Sequence, residues 1–270
     1  SISKVDDILK SENKNKIAKI NFFKFDIKNE SFLRDIFDHQ LKINKPIKSV
    51  IHFAGLKSVS ESFHKPISYW DNNLCGSINL LKVMEDFDCK NLVFSSSATV
   101  YDSIDCIRIK ENHPLKPVNP YGETKLSIEN FLKSLCKKEN HDWRIASLRY
   151  FNPIGAHKSG LLGESPNGIP NNIFPYLCKV ADKQLPELKI FGNDWPTPDG
   201  TGIRDYIHVV DLALAHIHAV EYIKNNRPGY IDINIGTSIG TSVMELIKTF
   251  EEENKCKIKY VFTERRIGDK

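Results

Sequence analysis

Apolar positions recur along this chain in two alternating rhythms. Short runs rich in Val, Ile and Phe, namely "NFFKFDI" (21–27), "SVIHFAG" (49–55), "NLVFSSSATVY" (91–101), "RIASLRYF" (144–151) and "IDINIG" (231–236), predict strands. Between and after them lie helix candidates at residues 31–41, 67–86, 121–138, 209–224 and 242–254. Strands alternating with helices predict an α/β fold, a doubly wound parallel sheet covered on both faces. Ligands of such sheets bind beyond the carboxyl ends of the strands. Here those ends, "FDI", "HFAG", "SSSATVY" and "RYFNP", turn polar or small where the apolar run stops, so their loops are expected to converge on one crevice.

The rhythm breaks between Gly155 and Gly202, where Gly, Pro and Asn accumulate in "GESPNGIPNNIFPYL" and "FGNDWPTPDGTGIRDYIHVVDL". That change predicts an irregular lobe placed over the crevice. The expected division is a sheet domain over residues 1–155 and a smaller lobe over 156–270, with 200–236 partly returning to the sheet. A Lys/Asn-rich stretch near residues 10–19 reads as solvated surface.

Composition narrows the function classes. A chain of 270 residues, 40% hydrophobic, can bury a sizeable core. Its net charge of +4 is spread without a basic arm, which argues against a nucleic-acid partner. No apolar run is long enough to span a bilayer, which argues against a membrane role. Six dispersed cysteines without C-x-x-C spacing suit reduced thiols in a cytoplasm better than disulfides or a zinc site. His208, His216 and His218 read as packing histidines rather than metal ligands, since no carboxylate pattern accompanies them.

The candidate chemistry sits in "NPYGETKLSIENFL", residues 119–132. Tyr121 and Lys125 lie four apart, on one face of the predicted helix, and can serve one small site. A free phenol titrates near pH 10, so a tyrosine base at neutral pH needs positive charge beside it. Lys125 is expected to supply that charge.

"SSSATVY", "PYGETK", "LRYFNPIGAH", "GIPNN", "IFGND", "DGTGIRDYIHVVDLA" and "ERRIGDK", in this order, resemble the extended short-chain dehydrogenase/reductase family, and within it the epimerases of UDP-sugars. The match runs from about Phe25 to the last residue. The resemblance implies a Rossmann-like domain holding NAD, a UDP-sugar substrate and a homodimer. It further implies interconversion of UDP-galactose and UDP-glucose by transient oxidation at sugar C4, with the hydride returned to the opposite face. An epimerase of UDP-hexosamines or UDP-pentoses, and a remnant that cannot hold NAD, are the alternatives.

By the same resemblance Tyr121, Lys125 and Ser97 are catalytic. Asp26, Ile27, Phe53, Ala54, Gly55, Leu56, Lys57, Asn72, Tyr150 and Phe151 join Tyr121 and Lys125 around the cofactor. Asn152, Asn172, Lys189, Ile190, Phe191, Arg204, Tyr206, Arg266 and Asp269 join Ser97 and Tyr121 around the nucleotide sugar. Guanidinium groups suit a diphosphate because their donors bind phosphate oxygens as a fork. Related dehydratases carry an Asp-Glu pair where this chain has Ala98 and Thr99, which disfavours loss of water. The chain departs from the family at Asp102, where glycine is usual, and at Lys189, where a small residue is usual. It also has no G-x-x-G-x-x-G turn, so an internal fragment lacking both ends is expected, with the isolated chain inactive.

Overall fold

The computed structural model describes residues 2–12, 20–101, 108–166, 168, 170 and 172–265. Its main sheet has four parallel strands in the order β1 (Val50–His52), β2 (Asn91–Ser97), β3 (Arg144–Tyr150) and β7 (Gly229–Ile235). Alternate side chains of a strand enter opposite faces, and both faces here are dry. Leu92, Phe94 and Ile145 pack under α2 (Glu30–Lys42), α5 (Gly76–Asp86) and α6 (Pro120–Leu135), through Leu33, Phe37, Leu80, Met84, Ile128 and Leu132. Val93, Ala146 and Leu148 pack on Ala219 and Ile223 of α8 (Val209–Asn225). This two-sided burial explains why the strands read as continuous apolar runs.

Two predicted elements change. Residues 21–27 form no strand; the rings of Phe23 and Phe25 lie instead 6.4 and 4.9 Å from that of Phe32 at the start of α2. Among the described residues β1 has only β2 as a neighbour, so no ladder reaches this segment. The single helix expected over 67–86 is three: α4 (Pro66–Tyr69), a π-helical turn (Trp70–Cys75) and α5, preceded by α3 (Val59–His64).

The region expected to be irregular carries short strands and its own core. β4 (Asn152–Ile154) pairs in parallel with β6 (Ile203–His208), which pairs antiparallel with β8 (Gly240–Ser242). β5 (Leu188–Phe191) pairs with β9 (Tyr260–Thr263). Leu177 and Val180 of α7 (Ile173–Ala181) meet Leu188, Ile190, and Leu246 and Ile247 of α9 (Val243–Asn254). Ser242 and Glu245 close a capping box at the start of α9. The remaining helix, α1 (Ile2–Glu12), precedes the sheet.

Candidate active site

Tyr121 stands one residue inside α6. Pro120 supplies the first helical position, where its missing N–H costs nothing. The Asn119 side chain accepts the Gly122 amide at 2.8 Å, a cap that contributes about 1 kcal/mol. Gly122 lets this helix start approach the end of β2: a Cβ there would lie 2.8 Å from the Thr99 carbonyl oxygen. The register Ser97↔Tyr150 places the last residues of β2 and β3 side by side under this helix start.

Ser97 ends β2 and caps the 3-10 turn Ala98–Val100. Its Oγ accepts from the Thr99 amide at 3.2 Å and the Thr99 hydroxyl at 3.0 Å, and its side chain also hydrogen-bonds the Tyr121 phenol. Lys125, one turn into α6, is 4% exposed. Its Nζ donates to the Ser95 carbonyl at 2.6 Å and lies 4.8 Å from the Phe94 ring centroid and 5.8 Å from that of Tyr121. Burial lowers the Lys125 pKa to about 8, against the opposing pull of the Glu129 carboxylate. Burial also raises the Tyr121 pKa, and the Ser97 bond pulls it back only partway.

Lys125 is one of the two positive charges expected beside the phenol, the other being an oxidised nicotinamide ring. The ammonium is engaged by the Ser95 carbonyl, and the half-buried phenol is pushed up by burial. In this state Tyr121 keeps its proton at neutral pH.

Behind Lys125 lies a buried ion network. Glu129 and Arg149 are both fully buried and bond through both carboxylate oxygens, at 3.0 and 2.7 Å. Ser96 donates to Glu129 at 2.5 Å, Arg149 donates to the Tyr101 hydroxyl at 2.8 Å, and Asp232 lies 3.0 Å from Arg149 Nη2. The network ties α6 to β2, β3 and β7 beneath the helix turn that carries Lys125.

A cleft of about 900 Å³ opens at the carboxyl end of β1, within the range usual for ligand sites. It gathers Asp26, Ile27, Phe53, Ala54, Gly55, Leu56 and Asn72. Lys57 points outward, 3.4 Å from Glu164. A Cβ at Gly55 would lie 3.2 Å from Asn73 Oδ1 and 3.8 Å from Lys125 Nζ, so the chain passes close to the buried lysine there. Phe151 continues from β3, its amide bonded to the Ile235 carbonyl at 3.1 Å.

The expected sugar-nucleotide residues are gathered less completely. Asn152 and Tyr206 are register partners across β4 and β6. Asn172 donates to Glu164 at 2.6 Å. On β5, Lys189 points outward, Phe191 is half-buried, and Ile190 is committed to the core. Arg204 Nη1 donates to the Ile203 carbonyl at 2.8 Å. Arg266 and Asp269 lie outside the described residues.

The family model of the NAD dependent epimerase/dehydratase family matches residues 2–236. The chain belongs to this family. Among its relatives, the UDP-glucose 4-epimerase of Cyamopsis tetragonoloba is 49% identical over 252 residues, 93% of this chain and 70% of that protein. The UDP-glucose 4-epimerase of Bacillus subtilis is 47% identical over 250 residues, 93% and 72% of the two chains. Among solved structures, the UDP-glucose 4-epimerase of Bifidobacterium longum, in complex with NAD+ and UDP, superposes with a TM-score of 0.88 at 42% identity, covering 99% of this chain and 76% of that one. The family's parallel sheet is the one found here. NAD is the cofactor of the family, and the residues present fit it: an apolar cleft at the strand ends, lined by a glycine whose built Cβ would lie 3.8 Å from the buried Lys125 Nζ.

One residue beside the site escaped the sequence reading. Asn73, 1% exposed, accepts the Leu56 amide at 2.7 Å and donates to the Leu56 carbonyl and Thr124 hydroxyl, each at 3.1 Å. It fastens the loop after β1 to α6, and only its place beside Asn72 in "DNN" signalled it. His216, read from the sequence as a packing histidine, lies behind Tyr150, to which no local pattern linked it.

Proposed function

We propose that this protein interconverts UDP-galactose and UDP-glucose with NAD as a retained redox partner. The observation that carries the reading is the convergence of Ser97, Tyr121 and Lys125 at the crevice end of β2, in a chain matching UDP-glucose 4-epimerases over 93% of its length. Ser97 and Tyr121 form the pair that would hold the sugar 4-hydroxyl, and Tyr121 would take its proton. Lys125, anchored on the Ser95 carbonyl, supplies positive charge close to that phenol. Asp26, Ile27, Phe53 to Lys57, Asn72, Tyr150 and Phe151 would hold the cofactor. When bound, NAD supplies a reversible hydride acceptor and, in its oxidised ring, a second positive charge. Ala98 and Thr99 place no carboxylate beside the sugar, so inversion rather than elimination follows.

In this reading residues 1–155 form the NAD-binding domain and 156–270 the sugar-nucleotide lobe, with 200–236 partly returning to the sheet. Asn152, Asn172, Lys189, Ile190, Phe191, Arg204, Tyr206, Arg266 and Asp269 would line that lobe; Ile190 would contribute backbone, since its side chain is in the core. The reading includes a homodimer through the helices around 67–86 and 121–138, which exposed Ile67 supports. It also includes a cytoplasmic setting, supported by free cysteines among the described residues. The test is incubation with NAD and UDP-galactose carrying deuterium at C4, followed by product analysis. UDP-glucose retaining the label is expected; label lost to solvent would overturn the chemistry.

A further inference from the structure

Tyr150 is held from both sides by buried groups that the reaction itself does not require. On one side stands Ser95, whose side chain favours the ionised form of the Tyr150 phenol and whose carbonyl accepts Lys125 Nζ at 2.6 Å. On the other side the hydroxyl meets Nε2 of His216, a residue of α8 that is 2% exposed. Nδ1 of the same ring lies 2.7 Å from the Leu212 carbonyl oxygen, one helical turn back. A carbonyl can only accept, so Nδ1 carries the hydrogen, and the neutral ring offers Nε2 as a lone pair. Tyr150 is therefore the donor and His216 the acceptor. Burial lowers the His216 pKa, which keeps that lone pair available at neutral pH.

His216 touches the opposite wall of the crevice as well. Its ring centroid is 4.7 Å from that of Phe53, in the cofactor loop after β1, and 5.3 Å from that of Tyr150. One imidazole thus links Phe53, in the cleft lining, to Tyr150 at the end of β3.

We propose that His216 is a positioning residue: its Nε2 fixes the Tyr150 hydroxyl, and its ring fixes Phe53, so that the aromatic walls of the nicotinamide pocket are set before cofactor binds. The proposal rests on the NAD-dependent reading of the site. It makes His216 act through Tyr150, which separates it from a general contribution to folding.

The test is a double-mutant cycle with three readouts: turnover of UDP-galactose, NAD affinity by fluorescence titration, and the imidazole tautomer by 15N NMR. His216→Asn can still donate to the Leu212 carbonyl but cannot reach Tyr150, whereas His216→Gln places an acceptor near Nε2. His216→Asn is expected to lower kcat about tenfold and weaken NAD binding severalfold, with KM for the sugar changed less than about twofold. His216→Gln should recover most of the loss. Tyr150→Phe should reproduce the Asn variant, and adding His216→Asn to it should cost nothing more. The NMR spectrum should show hydrogen on Nδ1 and none on Nε2. Multiplying effects, a normal His216→Asn enzyme, or hydrogen on Nε2 would overturn the proposal. Absence of epimerase activity in the unaltered protein would instead remove the parent reading, while the NAD-affinity cycle and the tautomer would still decide this one.

Discussion

Replacing Glu129 by alanine tests the network beneath the helix turn that carries Lys125. The substitution removes two of the acceptors of a fully buried guanidinium and the acceptor of Ser96. Breaking a buried pair from one side costs about 3–5 kcal/mol, because the surviving charge stays in a dry site. Arg149 retains Asp232 at 3.0 Å, so the loss should fall near the lower end, about 3 kcal/mol. With a urea dependence of about 3 kcal/mol/M, the unfolding midpoint should drop by about 1 M at unchanged slope. Substituting both partners, Glu129→Leu with Arg149→Met, leaves neither charge of the pair stranded and should recover at least half of that loss. The carboxylate also supports the Lys125 charge, so in Glu129→Gln the lysine should titrate below its value of about 8, and the alkaline limb of kcat/KM should move to lower pH. A single variant within about 1 kcal/mol of the unaltered protein, or a double variant worse than the single, would refute this reasoning.

Lys125 makes stability itself pH-dependent. Its folded pKa of about 8 lies below its ordinary 10.5, so the cost of the buried charge is fully felt below about pH 8 and is relieved as pH rises toward 10.5. Lys125→Met should therefore be more stable than the parent at pH 7, with the gap narrowing by pH 10, as read from urea melts. Gly122→Ala ought to gain about 1 kcal/mol of helix propensity. The Thr99 carbonyl 2.8 Å from the new methyl reverses that, and turnover should fall further than stability because Tyr121 is adjacent; an active, stabilised variant would contradict the packing. Asn73→Ala leaves the Leu56 amide unpaired and should weaken NAD binding severalfold in a fluorescence titration while the main sheet still melts cooperatively.

What the sequence made legible follows from the range of each interaction. The four parallel strands and α2, α6, α8 and α9 were readable within a few residues, because burial against a sheet imposes its period locally. Tyr121 and Lys125 were readable because a helix sets their spacing. The segment 21–27 has strand composition, yet a strand needs a neighbour, and composition cannot show whether one is in reach. β4, β5, β6, β8 and β9 are three to six residues long, too short for a period to stand out among glycines and prolines. Glu129 and Asn73 were passed over, and His216 was read only as a packing histidine, because their partners, Arg149, Leu56 and Tyr150, come from other parts of the chain. The effect of burial on the Tyr121 phenol was equally invisible, since it depends on what covers the ring.

The π-helical turn at Trp70–Cys75 sets a limit on how this protein can vary in length. Its widened winding sends two consecutive asparagines to different tasks, Asn72 to the cleft wall and Asn73 into the interior. Deleting one residue there would let an ordinary turn replace the wide one with α4 and α5 left nearly in phase, so the disturbance falls on the turn itself. Asn72 and Asn73 could then no longer keep both the cleft wall and the buried bonds to Leu56 and Thr124. Insertions and deletions should accordingly be tolerated in the surface bend after α6 and rejected across these six residues, although both segments lie outside the strands.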